Sequence, residues 1–275
     1  MLIGILGYGS AGKRHADNAI ALGHDVRVYD PDKKLGLLQY DREKVINAAD
    51  AVIIASPSDR HWIDLSTCVV ASKPALVEKP IALPGQSKDI ANILNAAGEA
   101  ELPVAVGYNL RFHPKIADLW DQDHDWYYLS LTCCQYTENI GALTNGCLAE
   151  WTTHELDLSR FLLSGADLRI IDKHISRFSV DLGLFEWVDG GCHVHIHSDT
   201  RAHQRVRQVL AVSEDKSVHI DLEADPVTND HYRVELENFL RYVETGKPGG
   251  QLATGNDGLA ALKLCEKADN VRLEK

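Results

Sequence analysis

The chain has no long apolar run, no cluster of basic residues, no C-x-x-C pair of cysteines, no internal repeat and no low-complexity stretch. Each absence removes a class of function. Nothing approaches the roughly 20 consecutive apolar residues of a membrane span. A formal charge of −12 without a basic run argues against a nucleic-acid surface. The cysteines (Cys68, Cys133, Cys134, Cys147, Cys192, Cys265) are scattered, so they read as reduced core thiols of a cytoplasmic protein rather than as disulfides or metal ligands. Cys133 and Cys134 are adjacent on an expected strand, so their side chains should point to opposite faces. The first apolar run starts at residue 2, which leaves no room for a signal peptide. What is present is ordinary: 275 residues, 45% hydrophobic and 25% charged, enough for one or two domains with a sizeable core.

The chain falls into two halves of different pattern. Strands are expected at 2–6, 25–29, 51–55, 74–78 and 103–107, and helices at 11–22, 59–71 and 86–98. This alternation predicts an α/β domain with a doubly wound parallel sheet over residues 1–112. Ala51-Val-Ile-Ile-Ala55 is wholly apolar, as a strand buried on both faces should be. Beyond Pro114, strands follow one another: Trp126–Tyr136, Leu168–Val180, Phe185–Asp189, Cys192–His197, Arg205–Ser213 and Ser217–Glu223. Residues 113–275 therefore read as an α+β domain with a mostly antiparallel sheet. Its helices are expected at 148–163, 231–245 (stopped by Gly246 and Pro248) and 255–272, and Glu214–Ser217 reads as a hairpin connection.

The most informative segment is Leu2-Ile-Gly-Ile-Leu-Gly-Tyr-Gly-Ser-Ala-Gly12, a strand running into a glycine-rich turn. Asp30 closes the next strand, 18 residues after Gly12. Gly7 permits a tight turn, Gly9 removes the side chain that would block a pyrophosphate, and Gly12 lets the helix pack on the strand. The helix start, Ser10 and Ala11 onward, offers backbone N–H groups and a positive dipole end to phosphates. Asp30 would bind the adenosine ribose hydroxyls and repel a 2′-phosphate, which favours NAD; Lys33 and Lys34 keep NADP open.

Two further segments carry candidate chemistry. Val77-Glu-Lys-Pro80 ends a strand on the edge that holds the glycine loop. Glu150-Trp-Thr-Thr-His154-Glu-Leu-Asp157 lies on a helix, where Glu150, His154 and Asp157 share one face. Hydride transfer at a carbinol carbon needs its oxygen to lose or gain a proton. His154 suits that exchange. Lys79 would stabilise the developing alkoxide, and Glu150 would orient the imidazole. Taken alone, a helical histidine with a carboxylate four residues before it is more often a surface or core pair, and Glu-Lys-Pro is a common surface turn.

Secondary candidates surround these. Ser56 and Pro57 should line the nicotinamide side of the groove, and His61 either packs structurally or meets the dinucleotide. Asn109, Arg111 and Asp157 join Lys79 as substrate-binding candidates; Arg111 reads as a carboxylate or phosphate clamp, or as a junction salt bridge. His193, His195 and His197 alternate on one strand face. Residues two apart on a strand stand roughly 6–7 Å apart, an awkward spacing for a three-ligand metal site. They read as exposed or interface residues, and no metal is expected.

The order of these motifs resembles the Gfo/Idh/MocA family of NAD(P)-dependent oxidoreductases. The resemblance runs through Gly7–His15, Ala49–His61, Lys73–Pro80, Gly107–Pro114 and the helix of Glu150, His154 and Asp157. It implies an N-terminal Rossmann domain and a C-terminal open-faced sheet domain with helices on one face. It also implies hydride transfer at a sugar-like carbon. By position it implies Lys79 as catalytic lysine, His154 as catalytic histidine, Glu150 in place of the family's aspartate, and Glu78 on the nicotinamide ribose. Asn145-Gly146-Cys147 stands where the family commonly has a glycine pair. The similarity to members of bacterial surface-glycan pathways implies a sugar or nucleotide-sugar substrate. The family commonly forms homodimers or homotetramers through the sheet face.

Three functions compete on the sequence. The first is an NAD(P)-dependent dehydrogenase of a sugar, nucleotide sugar or cyclitol. The second is redox-neutral elimination or glycoside cleavage with tightly held NAD. The third is an NAD-binding sensor without turnover, against which the joint presence of Lys79 and His154 argues.

Overall fold

The computed structural model describes residues 1–32, 40–121, 125–136, 145–186, 191–224 and 228–270. The chain divides into two compact units: Met1–Phe112 with Thr228–Leu259, and His113–Val227 with Ala260–Lys275. The first unit leaves off at Phe112 and resumes at Thr228. The stretch 228–259, however, belongs with the first unit rather than with a continuous second domain over 113–275.

The first unit is built on strands β1 (Leu2–Leu6), β2 (Asp25–Tyr29), β3 (Ala51–Ile54), β4 (Ala75–Glu78) and β5 (Val104–Gly107). All pair in parallel in the order β2-β1-β3-β4-β5. Chain direction across the sheet reverses beside β1, so the loop after β1 lies at the topological switch point, where such sheets bind ligands. The connecting helices are α1 (Ser10–Ala21), α2 (Arg42–Ala48), α3 (His61–Val70) and α4 (Ser87–Glu99). Helix α2 is additional to the sequence expectation; at seven residues it is too short to show a clear apolar period. The expected helix over 59–71 begins with a 3-10 turn, Ser58–Arg60. Helix α7 (Asn229–Thr245) completes this unit by packing Leu236, Phe239 and Leu240 into the core of Ile3, Ile5, Ala16, Ala19 and Val28. It opens on a capping box at Thr228 and closes on Gly246 at φ 69°.

The second unit holds a six-stranded sheet of β6 (Tyr128–Cys134), β7 (Arg169–Ile175), β8 (Ser179–Glu186), β9 (Cys192–Asp199), β10 (Val206–Val212) and β11 (Ser217–Asp221). The order is β11-β10-β6-β9-β8-β7, antiparallel except where β6 and β9 run parallel. The expected single strand over 168–180 is two strands. The Ser176 hydroxyl accepts from the N–H groups of Phe178 and Ser179, which makes a tight hairpin between β7 and β8. The strand expected at 185–189 is the end of β8, its last residues lying outside the described ones. The short helix α5 (Pro114–Trp120), with Pro at its start, was not expected. The long helix expected over 148–163 is a π turn, Leu148–Thr152, followed by α6 (Thr153–Leu162). The last helix, α8 (Gly255–Asn270), contains the point where the two units divide.

Residues Leu129, Leu131 and Cys133 of β6, with Val194 and Ile196 of β9, form the buried face of this sheet. On the other face His193 and His195 are exposed, while His197 is half-buried. His197 Nδ1 lies 2.6 Å from Asp181 Oδ1, and His195 Nε2 lies 3.9 Å from the same oxygen. The His193 ring sits 4.5 Å from that of Phe185. All six cysteines are free and buried. Burial pushes the Cys133 thiol up to about 12, as the nearby Glu155 charge also does.

Candidate active site

The glycine loop is shaped by three different demands. Gly7 has φ +90°, and a Cβ there would fall 2.4 Å from the Ala55 carbonyl oxygen. A Cβ on Gly12 would fall 2.0 Å from the Gly7 oxygen. Gly9 differs: its Cβ would meet nothing within 4 Å, so the loop leaves open space there. Gly9 also stands at the N-cap of α1 without a side-chain cap, and no acidic residue occupies the first turn, Ser10 and Ala11 included. A negative group arriving there finds free N–H donors and the positive end of the helix. The cradle therefore fits a dinucleotide pyrophosphate.

Asp30 is 8% exposed and fixed by the loop itself. The Tyr8 N–H donates to Oδ2 at 2.7 Å, and the Asp32 N–H to Oδ1 at 2.9 Å. A cavity of about 340 Å³ opens here, lined by Tyr29, Asp30, Pro31, Tyr40, Asp41 and Lys44. The Arg27 guanidinium lies 4.8 Å from the centre of the Tyr40 ring. Lys33 and Lys34, candidates for a 2′-phosphate, lie outside the described residues.

At the ends of β3 and β4 the side chains are held tightly. The Ser56 hydroxyl donates to Asp64 at 2.6 Å, and Arg42 grips the other oxygen of that carboxylate, also at 2.6 Å. Pro57 leads into the 3-10 turn. His61 is 2% exposed, with Nδ1 2.7 Å from the Pro80 carbonyl oxygen and Nε2 2.8 Å from that of Ser56. Its geometry is that of a staple between two loops.

Glu78 ends β4, buried, with its Oε1 2.7 Å from His15 Nε2. Gly107 on β5 makes room for it, since a Cβ there would lie 3.1 Å from Glu78 Oε2. Burial alone would raise the Glu78 carboxyl. The His15 hydrogen bond and the charges of His15, Lys79 and His61 outweigh it and hold the group below the usual carboxylate range. Lys79 follows directly and is half-buried. The Tyr232 ring of α7 meets the edge of His15 at 5.7 Å, with Arg14 stacked 4.5 Å over its face. Tyr232 also hydrogen-bonds the Asn109 side chain, while burial pushes its phenol up to about 12. Asn109 and Arg111 are both buried in a 3-10 turn, and Arg111 Nη2 lies 3.6 Å from Asp257. Both partners of that ion pair belong to the first unit.

In the second unit His154 and Glu150 are both half-buried, whereas Asp157 is 2% exposed. Asn145 Nδ2 donates to Glu150 Oε1 at 2.7 Å. A π turn directly before the histidine is a feature that recurs at functional sites. The next residue, Glu155, faces inward and pairs with Arg207 of β10 at 2.9 Å.

Residues 1–108 match the model of an oxidoreductase family with an NAD-binding Rossmann fold, GFO_IDH_MocA. Over those 108 of its 275 residues the chain is similar to the Gfo/Idh/MocA oxidoreductases. An inositol 2-dehydrogenase of Rhizobium meliloti (strain 1021) is 26% identical over 270 residues, covering 82% of this chain and 79% of that one. A myo-inositol 2-dehydrogenase of Thermotoga maritima is 23% identical over 337 residues, covering 100% of this chain and 99% of that one. Among solved structures, a UDP-N-acetylglucosamine 3-dehydrogenase from Acidithiobacillus ferrooxidans superposes with a TM-score of 0.86. It shares 20% identity and covers 98% of this chain and 96% of that one, a likeness of fold.

Sequence reasoning missed several residues that hold the candidate side chains within each unit. His15 was read only as part of a helix start, although its place three residues after Gly12 puts it on the same helical face. Tyr232, Arg42, Asp64 and Asn145 carried no local signal of these pairings, because their partners are 5 to 218 residues away in sequence.

Proposed function

We propose that this chain is an NAD-dependent dehydrogenase acting on a secondary alcohol of a cyclitol, sugar or nucleotide sugar. The observation that carries the reading is the position of Lys79. It emerges half-buried at the carboxyl end of β4, on the sheet edge that also carries the open Gly9 cradle and the fixed Asp30 carboxylate. Inositol and UDP-N-acetylglucosamine dehydrogenases among its relatives support the substrate class.

NAD, when bound, supplies the hydride acceptor or donor. The chain's own residues do the rest. Gly7, Gly9, Gly12 and the N–H groups of Ser10 and Ala11 hold the pyrophosphate. Asp30 accepts from the ribose hydroxyls and repels a 2′-phosphate. Lys79 donates to the carbinol oxygen and stabilises negative charge as it develops. His154 takes the hydroxyl proton in oxidation and returns it in reduction. Glu150, held by Asn145, orients the imidazole. Asn109 and Asp157 are the remaining substrate candidates, and Arg111 is assigned to the ion pair with Asp257. The reading is tested by a panel of cyclitols, free sugars, sugar acids and nucleotide sugars with NAD and NADP, followed by NADH fluorescence. Lys79→Met should cut kcat by roughly 10² to 10³ and leave NAD affinity within about twofold. Unchanged turnover in that variant would remove the reading.

We further propose that the protein works in the cytoplasm as a homo-oligomer, associating through the sheet face that carries His193, His195 and His197. Sedimentation velocity should then show a species larger than the 30.4 kDa chain, and a monomer at all concentrations would reject it.

A further inference from the structure

His61 opens α3 with both of its ring nitrogens engaged. Nδ1 lies 2.7 Å from the Pro80 carbonyl oxygen, and Nε2 lies 2.8 Å from that of Ser56. A backbone carbonyl oxygen can only accept. A neutral imidazole has one N–H and one lone pair, so either tautomer would set that lone pair against a carbonyl oxygen at hydrogen-bond distance. Only the imidazolium donates to both. We propose that His61 is held as an imidazolium at neutral pH and is a positioning residue for the reaction: its two N–H groups tie the chain at Ser56 to the chain at Pro80, the residue that follows Lys79. The positioning role rests on the catalytic reading of Lys79, whereas the charge does not.

Opposing forces act on that charge. Burial at 2% exposure and the place at a helix N-terminus both disfavour it. Two charge-assisted hydrogen bonds favour it, each stronger than the neutral kind. A neutral ring would have to release one carbonyl, and both are held. Opposite charge is also at hand. Asp64, one turn along α3, accepts from the Ser56 hydroxyl at 2.6 Å, while His61 donates to the carbonyl of the same residue. Arg42 of α2 pairs with Asp64 in turn, at 2.6 Å. Helix α3 packs against β3, β4 and α4. From β4 comes Glu78, whose carboxylate feels the His61 charge, with Lys79 beyond it. Strand β3 carries no titratable residue. Helix α4 turns Ile90 and Ala97 inward and leaves Lys88, Asp89 and Glu99 exposed. Asp59 and Arg60, on the turn before α3, are exposed as well. Losing the proton therefore removes one of the two bonds and unties Ser56 from Pro80.

The charge is read without substrate. With ring-¹⁵N-labelled histidine, the imidazolium and the two neutral tautomers give different pairs of nitrogen shifts, and His61→Gln assigns the residue. The spectrum is taken about one pH unit above the ordinary histidine midpoint, where only about a tenth of a free imidazole stays charged. His61 should then show two protonated nitrogens while the exposed His219 shows a neutral ring. A neutral tautomer at His61 overturns the proposal. If His61→Gln does not fold, neutron diffraction from parent crystals replaces the assignment, and deuterium on one ring nitrogen alone overturns it equally. The role is read from the pH profile. Parent kcat should fall as pH rises through the His61 midpoint found by NMR, and a level kcat there overturns the positioning role. His61→Gln, which has no proton to lose, should be slower by roughly tenfold and lack that limb. A parental profile in that variant also overturns the role, since lost packing lowers kcat without moving the profile. Unchanged turnover in Lys79→Met with the imidazolium intact removes the catalytic reading of Lys79 instead, so the two failures are distinguishable.

Discussion

Gly9 and Gly12 sit three residues apart and answer to different forces. Gly12 is a packing glycine, because any Cβ there overlaps the Gly7 carbonyl. Gly9 is a ligand glycine: its φ of −70° suits any residue, and an added Cβ meets no protein atom. Gly9→Ala should therefore leave Tm unchanged and weaken NAD by about tenfold, measured by calorimetric titration. Gly12→Ala should lower Tm by about 5 °C or more in the same scan. Equal effects of the two on stability would show that Gly9 is held by folding alone. At this scale the sequence was informative where one residue type has one physical use. The glycines, Asp30 and Lys79 announced themselves. His15 did not, because a buried histidine is defined by its partner, and Glu78 lies 63 residues away.

The helix that carries His154 is anchored to its sheet by charge as well as by apolar packing. Glu155 and Arg207 are both largely buried, at 3% and 14% side-chain exposure, and pair at 2.9 Å. Arg207 is raised above its usual value, chiefly by the Glu155 charge, against the opposing cost of burial. Removing one partner strands the other in the interior, so Arg207→Ala should cost about 3–5 kcal/mol in urea unfolding. Replacing both partners with Met should recover most of that loss. A single variant as stable as the parent would mean that α6 is held by its apolar residues alone. The period of residues 148–163 foretold a helix but not its π turn, since the apolar spacing of one wide turn is nearly that of an α-helix. The hairpin between β7 and β8 was missed for a similar reason: Ser176-Arg-Phe178 contains neither glycine nor proline, and the turn depends on a serine side chain bonding backbone N–H groups.

Seen as a molecule, the chain does not end its first unit where the βα alternation stops. Helix α7 returns across more than a hundred residues to fill the core around Ile3, Ile5 and Val28 with Leu236, Phe239 and Leu240. Residues 1–112 expressed alone should therefore show no cooperative melt by circular dichroism and no NAD binding, although every cofactor residue named above is present. Phe239→Ala in the full chain, which empties a fully buried site, should cost about 3–5 kcal/mol. A stable, NAD-binding 1–112 fragment would show that the returning helix is dispensable.

The sequence by itself determined the parallel sheet, the dinucleotide loop and the two segments that carry Lys79 and His154. These rest on local physics: the period of apolar residues, the glycines a tight turn demands, and a carboxylate at a strand end. Tertiary structure alone decided which half owns α7, that β6 and β9 run parallel, that Arg111 pairs with Asp257, and that His15 grips Glu78. Each of those joins residues distant in sequence. An amphipathic stripe or a polar side chain states what it needs to bury or bond, but not which partner will provide it.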